Sequence, residues 1–262
     1  MKNNQYRASI KVVGTVLPET KLILNKYLEL KDLELLKKEV LDNNLILKTS
    51  KRRAETIYYE IRKRYLKNQI KGYNEDSFIY LIKNINTDSI VDLILYYHLC
   101  KEEKIVFEYI TNVIYHKYEK GYLGFTATDT IEYIQGLSKI DENVAKWSDR
   151  TMNDVRSAME GILKDFGFIN SRKKPTFNRV FIPSIVFYYV IYQNIDSIET
   201  REDLYNCQDL KLFLLLKNDI DILIEESKRN DVFYVKEETN TIVYKYKNIK
   251  EIIDDYVKGQ IC

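Results

Sequence analysis

The sequence KTSKRRAETIYYEIRKRYLKNQIK, residues 48–71, holds nine basic and two acidic residues in a protein whose net charge is only +2. Its basic residues are Lys48, Lys51, Arg52, Arg53, Arg62, Lys63, Arg64, Lys67 and Lys71. Apolar residues recur at helical spacing and form one stripe, made of Ala54, Ile57, Tyr58, Ile61 and Tyr65. Opposite this stripe lie Arg52, Thr56, Tyr59, Lys63 and Lys67. We therefore predict a helix that buries one face and presents a cationic face to a polyanion.

A shorter helical pattern at residues 34–43 precedes the basic helix, and Thr49 and Ser50 stand where an N-cap belongs. Two helices in this order, the second one basic, are typical of a helix-turn-helix. The alternative interpretation of the segment is a solvated surface helix. The basic pattern ends near Asn68, before Gly72.

Length and composition indicate a mainly α protein of two medium domains or one large one, and we favour two. The chain has 262 residues, 45% hydrophobic and 31% charged, with only eight glycines and three prolines, which is the composition of a soluble globular protein rather than a disordered one. We predict a helical N-terminal domain over residues 1–120, with the basic helix-turn-helix packed among further amphipathic helices. Residues 121–262 are predicted to form a winged-helix-like domain with short β-hairpins.

The C-terminal half predicts a winged helix from the order of its elements. Trp147 and Ser148 open a strongly periodic helix that ends at Gly167, Ser148 being its N-cap. Short strands are predicted at residues 168–169 and 180–182, around a basic tip that holds Arg172, Lys173 and Lys174.

The layout repeats more weakly toward the C-terminus. Helices are predicted at residues 210–216, 219–228 and 249–257, with strands at 232–235 and 241–246. Residues 199–226 hold eight acidic and three basic residues. We interpret this acidic region as a packing or partner-contacting module.

Sequence signatures of enzymes are absent, and we predict a protein without catalytic residues, metal site or cofactor. There is no phosphate-binding Gly-rich loop, nucleophile elbow or zinc-protease motif. The only histidines, His98 and His116, lie in helical patterns without partner residues. Three widely spaced cysteines favour reduced thiols. The longest apolar run, residues 185–192, is too short to cross a bilayer, so we predict a cytoplasmic protein that does not associate with membranes.

Three segments, residues 6–30, 50–65 and 144–169, resemble the BrxA family of accessory proteins from bacterial BREX phage-defence systems. The most specific matches are Ser50-x-Arg52-Arg53-Ala54 and Trp147-Ser148-x-x-Thr151, with the glycine stop at Gly167. The resemblance implies a helical protein with small winged elements that binds double-stranded DNA with little sequence preference. It also implies work beside a methyltransferase, an ATPase and a phosphatase-like factor. Part of this family's helical fold is similar to the RNA-binding antitermination factor NusB.

These observations lead to one leading hypothesis and two alternatives. The leading hypothesis is a non-enzymatic DNA-binding accessory factor that holds phosphates through its basic groups. Its predicted DNA-binding residues are Lys51, Arg52, Arg53, Thr56, Tyr59, Lys63, Lys67, Arg150, Asn153, Arg156, Arg172, Lys173 and Lys174. The alternatives are a protein–protein scaffold within the defence complex, with the basic patch docked on an acidic partner, and a NusB-like RNA binder.

Overall fold

The computed structural model describes residues 5–69, 73 and 75–261, so the predictions for Lys71 and Gly72 lie outside the described residues. The N-terminal helices are α1 (Ile10–Val13), α2 (Leu17–Leu30), α3 (Leu33–Leu41), α4 (Lys51–Tyr65), α5 (Ser77–Asn84), α6 (Asp88–Glu102), α7 (Lys104–Tyr109) and α8 (Tyr115–Glu119). A π-helical segment, Ile110–Ile114, joins α7 to α8.

The remaining elements are mostly helical, as predicted. The helices are α9 (Ala127–Ser138), α10 (Glu142–Ala145), α11 (Asp149–Asp165), α12 (Ser184–Gln193), α13 (Arg201–Asn206), α14 (Gln208–Lys211), α15 (Lys217–Arg229) and α16 (Ile249–Val257). The strands β1 (Phe233–Val235) and β2 (Ile242–Tyr244) pair antiparallel. A mainly α fold with a small β-hairpin near the C-terminus is therefore confirmed.

Helix α4 forms as its sequence pattern predicts. The Ser50 side chain accepts a hydrogen bond from the backbone N–H of Arg53 at 3.3 Å, which satisfies one of the free donors at the helix start. The whole predicted apolar stripe is buried. Residues 42–50 separate α3 from α4, a longer connection than the turn of about three or four residues in a helix-turn-helix.

The segment after α11 pairs with a stretch that precedes α9. The backbone N–H of Phe177 donates to the carbonyl of Leu123 at 2.9 Å, and that of Phe125 donates to the carbonyl of Pro175 at 3.2 Å. Gly124 lies between these two bonds, where a Cβ atom would stand 1.9 Å from the Pro175 carbonyl oxygen. Only glycine permits so close an approach of two backbones.

Residues 168–178 form a hairpin whose second arm lies earlier in the chain than predicted. The N–H of Asn178 donates to the carbonyl of Phe168 at 2.9 Å, and Ile169 and Phe177 form a β-bridge. The predicted strand at residues 180–182 is wrong, because no backbone pairs there and the Phe181 side chain is 83% exposed. Residues 175–178 form the second arm of the hairpin instead, because they pair with the segment at residues 123–125.

The C-terminal part, which begins with α12, also contains a β-bridged segment and a hairpin. Residues 184–192, nearly all of α12, are buried, so the longest apolar run of the chain is a core helix. Strands β1 and β2 lie within the predicted strands, and a β-bridge joins Thr200 to Thr241. Of the predicted helix at 210–216, only the start is helical, since α14 ends at Lys211. Within the described residues, no helix combines the length and apolarity needed to cross a bilayer.

Candidate nucleic-acid interface

Helix α1 lies against α4 and is fixed to it by two arginines. The Arg53 guanidinium donates from Nη1 to the carbonyl oxygen of Val12 at 2.7 Å. Arg64 donates from Nη1 to the carbonyl oxygen of Gly14, also at 2.7 Å. These bonds satisfy carbonyl groups at the end of a four-residue helix that could not be stable alone. Arg64 is itself buried and bonds to Glu103 at 3.3 Å, so it is a structural residue.

The same short helix also contacts α11 on its other side. The Lys11 ammonium donates to Oγ1 of Thr151 at 3.1 Å, and Oγ1 of Thr15 donates to Oδ2 of Asp165 at 2.5 Å. Helix α11 is therefore held at its first turn and at its last residue by the two ends of one short segment.

These contacts place α4 and α11 side by side in the same orientation. Arg53 and Thr151 are each the third residue of their helix. Arg53 bonds to Val12 and Thr151 bonds to Lys11, near the start of the short segment. Arg64 and Asp165 lie near the opposite helix ends and reach residues 14 and 15. Both helix N-termini, which carry partial positive charge, therefore lie at the same end of α1.

The two N-termini share one local sequence pattern. Each is capped by a serine, Ser50 in α4 and Ser148 in α11, whose side chain accepts a bond from the N–H three residues on. Each has an arginine as second residue, Arg52 and Arg150, and both arginines are exposed. No described carboxylate forms an ion pair with either. Two Ser-capped helix starts, each with an exposed arginine, thus face solvent on either side of α1, and the start of α11 also carries the exposed Asp149.

Several predicted cations are instead neutralised by carboxylates. Lys67 pairs with Glu102 at 2.6 Å, and Lys63 lies 3.5 Å from Glu60 and 3.7 Å from Glu103. The basic face of α4 is therefore less cationic than its sequence indicates. Its charges are offset by Glu60 of α4 itself, by Glu102 at the end of α6 and by Glu103 directly after it.

Two more of the predicted cations have carboxylate partners. Lys51 pairs with Asp42 at 2.7 Å, and both side chains are exposed. The Lys51 ammonium lowers the pKa of the Asp42 carboxyl group below its usual value. Arg156 forms a two-pronged bond to the buried Glu160, at 3.0 and 2.8 Å, an arrangement that anchors it in the fold.

The polar residues predicted to reach bases make local contacts. Thr56 Oγ1 donates to the carbonyl of Arg52 at 2.9 Å, and Asn153 Nδ2 donates to the carbonyl of Asp149 at 2.9 Å. Tyr59 is 43% exposed, with the Lys37 ammonium 5.6 Å from its ring centroid. Each of the three remains at the surface of its helix.

The tip of the 168–178 hairpin carries the exposed residues Arg172, Lys173 and Lys174. Arg172 lines a cleft of about 520 Å³ between α1 and α11, together with Asp154 and Ser157. The hairpin tip thus lies beside the middle of α11, on the flank that α1 contacts. The first turn of α11, with Asp149 and Arg150 exposed, is open to a large ligand.

Lys11 is the functional candidate that the sequence pattern did not single out. It lies in a four-residue helix, too short to show a periodic pattern, yet it stands between the exposed arginines of α4 and α11. The only available signal was its place in the first segment that resembles the BrxA family.

Comparisons with known proteins agree with this architecture. The model of the BrxA family matches residues 4–194. A crystal structure of an uncharacterized protein from Magnetospirillum magneticum superposes with a TM-score of 0.62 at 16% identity, covering 79% of this chain and 97% of the other. That likeness concerns the fold alone. No curated protein matches the sequence.

Proposed function

The chain belongs to the BrxA family, which makes it a BREX-associated accessory protein, and on that premise we propose that it binds double-stranded DNA without catalysing a reaction. The DNA is held through phosphates with little sequence preference. Association with other components of the defence system, such as the methyltransferase, the ATPase or the phosphatase-like factor, follows from the same family membership.

The observation that carries this proposal is the pair of Ser-capped helix starts beside α1. Backbone N–H groups at a helix N-terminus and the positive end of its dipole bind phosphate oxygens. Arg52 adds a positive charge to the start of α4. Arg150 adds one to the start of α11, where it offsets the neighbouring Asp149, and Lys11 bonds to Thr151 in the same turn. Two such starts on one surface suit separate phosphates of a duplex better than a small anion.

The order of elements around α11 supports the same surface. Strand 123–125, α9, α11 and the hairpin follow one another as in a winged helix, in which the N-terminal residues of the second helix reach the DNA. Near the start of α11, Arg150 and Asn153 are exposed. Lys173 and Lys174 at the hairpin tip extend the cationic surface.

The paired cations contribute less to this binding. Lys63, Lys67 and Arg156 already face carboxylates, so a phosphate gains little by approaching them. With about five phosphates held by the remaining cations, log K falls with log salt at a slope of about −4 to −5.

A salt titration of duplex DNA binding tests the proposal. The Arg52→Ala/Arg150→Ala variant should flatten the slope by about 2, because each lost phosphate contact removes about 0.9. Lys228→Ala/Arg229→Ala is the matched control, since it removes two exposed charges from the end of α15 and should leave the slope unchanged.

Three results would reject the DNA proposal. One is equal affinity at about 50 mM and about 200 mM salt. Another is an equal loss of binding in the Arg52/Arg150 variant and its control. The third is tighter binding of single-stranded RNA than of duplex DNA under the same conditions, which would favour the RNA alternative.

A further inference from the structure

The second winged-type unit has the layout of the first but the opposite charge. Helix α15 occupies the place that α11 has in the first unit, following a β-bridged segment and preceding a hairpin. Residues 199–226 hold eight acidic and three basic residues. A surface of this charge repels phosphate, so nucleic acid does not suit the outward face of α15.

This face carries a groove of about 360 Å³ between α15, residues 178–182 and residues 213–215. Phe181 and Ile222 stand on its two sides, 83% and 59% exposed respectively. Leu214 and Leu215 line its floor. Side chains of this size that remain exposed together form an apolar patch of the kind that marks a protein-binding surface.

Carboxylates surround Ile222 on α15. Asp219 precedes it by three residues and Glu226 follows by four, so all three lie on one face of the helix. Glu226 lines the groove, and Glu225 is exposed beside it. Lys228 and Arg229 follow at the helix end, outside the residues that line the groove.

One cation already lies at the rim and shows how a ligand is held there. The exposed Arg179 guanidinium donates from Nη2 to Oδ1 of Asp219 at 2.7 Å. Asp219 also accepts the backbone N–H of Leu216 at 3.0 Å, so its position is fixed by the start of α15. Asp219 is thus already paired, whereas Glu225 and Glu226 form no ion pair with a described residue and, beside the exposed apolar side chains, are complementary to an incoming arginine or lysine.

From this complementarity we infer that the groove, which we call the acidic groove, docks a cationic amphipathic helix of a partner protein. Apolar side chains of the partner enter between Phe181 and Ile222. Its Lys or Arg residues pair with Glu225 and Glu226. This is the helix-in-groove mode of recognition, with apolar anchors at helical spacing and charges at the rim. The inference does not rest on DNA binding, since the acidic groove shares no residue with the α1 surface.

Labelled peptides test the acidic groove by fluorescence anisotropy on the full chain. The probe is a helical Leu–Lys amphipathic peptide, compared with a Leu–Glu peptide of the same pattern and with polylysine. We expect the Leu–Lys peptide alone to bind well. Ile222→Asn and Phe181→Ser should each weaken it about tenfold or more, because each removes a buried apolar contact. Ile140→Asn, at a residue 78% exposed elsewhere, should leave binding unchanged.

Charge and independence are tested with further variants. Glu226→Gln should weaken the Leu–Lys peptide and reduce the salt dependence of its binding. The groove variants should keep their DNA affinity, and Arg52→Ala/Arg150→Ala should keep its peptide affinity, so either proposal can fail alone. Because the replaced side chains are exposed, circular dichroism should show an unchanged fold.

The inference is overturned if the Leu–Glu peptide or polylysine binds as tightly as the Leu–Lys peptide. It is also overturned if Ile222→Asn and Ile140→Asn bind it equally. Sedimentation that shows wild-type self-association lost in Ile222→Asn, without competition from the peptide, would assign the acidic groove to a second copy of the chain instead.

Discussion

Replacing Gly124 with alanine tests the backbone pairing that holds the 168–178 hairpin. The added Cβ would lie 1.9 Å from the Pro175 carbonyl oxygen and 2.9 Å from both the Pro175 carbonyl carbon and Thr176 Cα. All three are backbone atoms, which cannot swing aside as the end of a flexible side chain can. To bring the shortest contact to the 3.0 Å limit of real Cβ atoms, the two segments must separate by about 1 Å.

That separation breaks the bonds on either side of Gly124. The Phe125–Pro175 and Phe177–Leu123 bonds measure 3.2 and 2.9 Å, so neither survives an added ångström in good geometry. At about 1 kcal/mol for each hydrogen bond, the variant loses about 2 kcal/mol of unfolding free energy. For a chain of this size the loss lowers Tm by about 4–8 °C.

Gly136→Ala is the matched control, because it adds the same methyl group within α9. A Cβ at Gly136 meets no atom within 4 Å. The change should therefore stabilise the protein by about 0.5–1 kcal/mol through the higher helix propensity of alanine.

The comparison uses thermal and urea denaturation followed by circular dichroism, with fluorescence of the single tryptophan, Trp147, as a second probe. Hairpin displacement should also weaken duplex DNA binding by Gly124→Ala and leave that of Gly136→Ala unchanged. If Gly124→Ala is as stable as the wild type, the close approach of the two backbones is refuted.

Two further predictions concern buried polar groups. Burial, followed by nearby lysines, lowers the pKa of His98 to about 3. Below about pH 6.5 the unfolded chain therefore binds a proton at this residue that the folded chain does not bind. As the pH decreases from about 6.5 to about 5, the free energy of unfolding should decrease by up to about 1.4 kcal/mol per pH unit. His98→Gln, which can keep the bond to Tyr189 (2.8 Å), should reduce this slope in urea titrations, and an unchanged slope would contradict the assignment. Glu103→Gln leaves the Arg64 guanidinium buried without its counter-charge and should lower the free energy of unfolding by about 3–5 kcal/mol. Lys67→Ala, at an exposed pair, should lower it by under about 1 kcal/mol. If denaturant titrations give equal losses for the two variants, the buried pair has no special role.

Local patterns in the sequence were enough to predict α4 and α11 and their starts. The burial of Ile57, Ile61 and Tyr65 follows from spacing along one helix. The caps of Ser50 and Ser148 follow from residues that lie three apart in the chain. Such interactions involve only residues that lie close together in the chain, so they can be predicted from the sequence.

Tertiary structure alone decided which cations remain free and where the second hairpin strand lies. Lys67 meets Glu102 across 35 residues, and Phe177 meets Leu123 across a longer stretch still. Neither contact produces a periodic pattern in the sequence, because each depends on how separate segments of the chain pack together. The same holds for α1: four residues cannot form a stable helix alone, and its place between α4 and α11 depends on side chains that those helices supply.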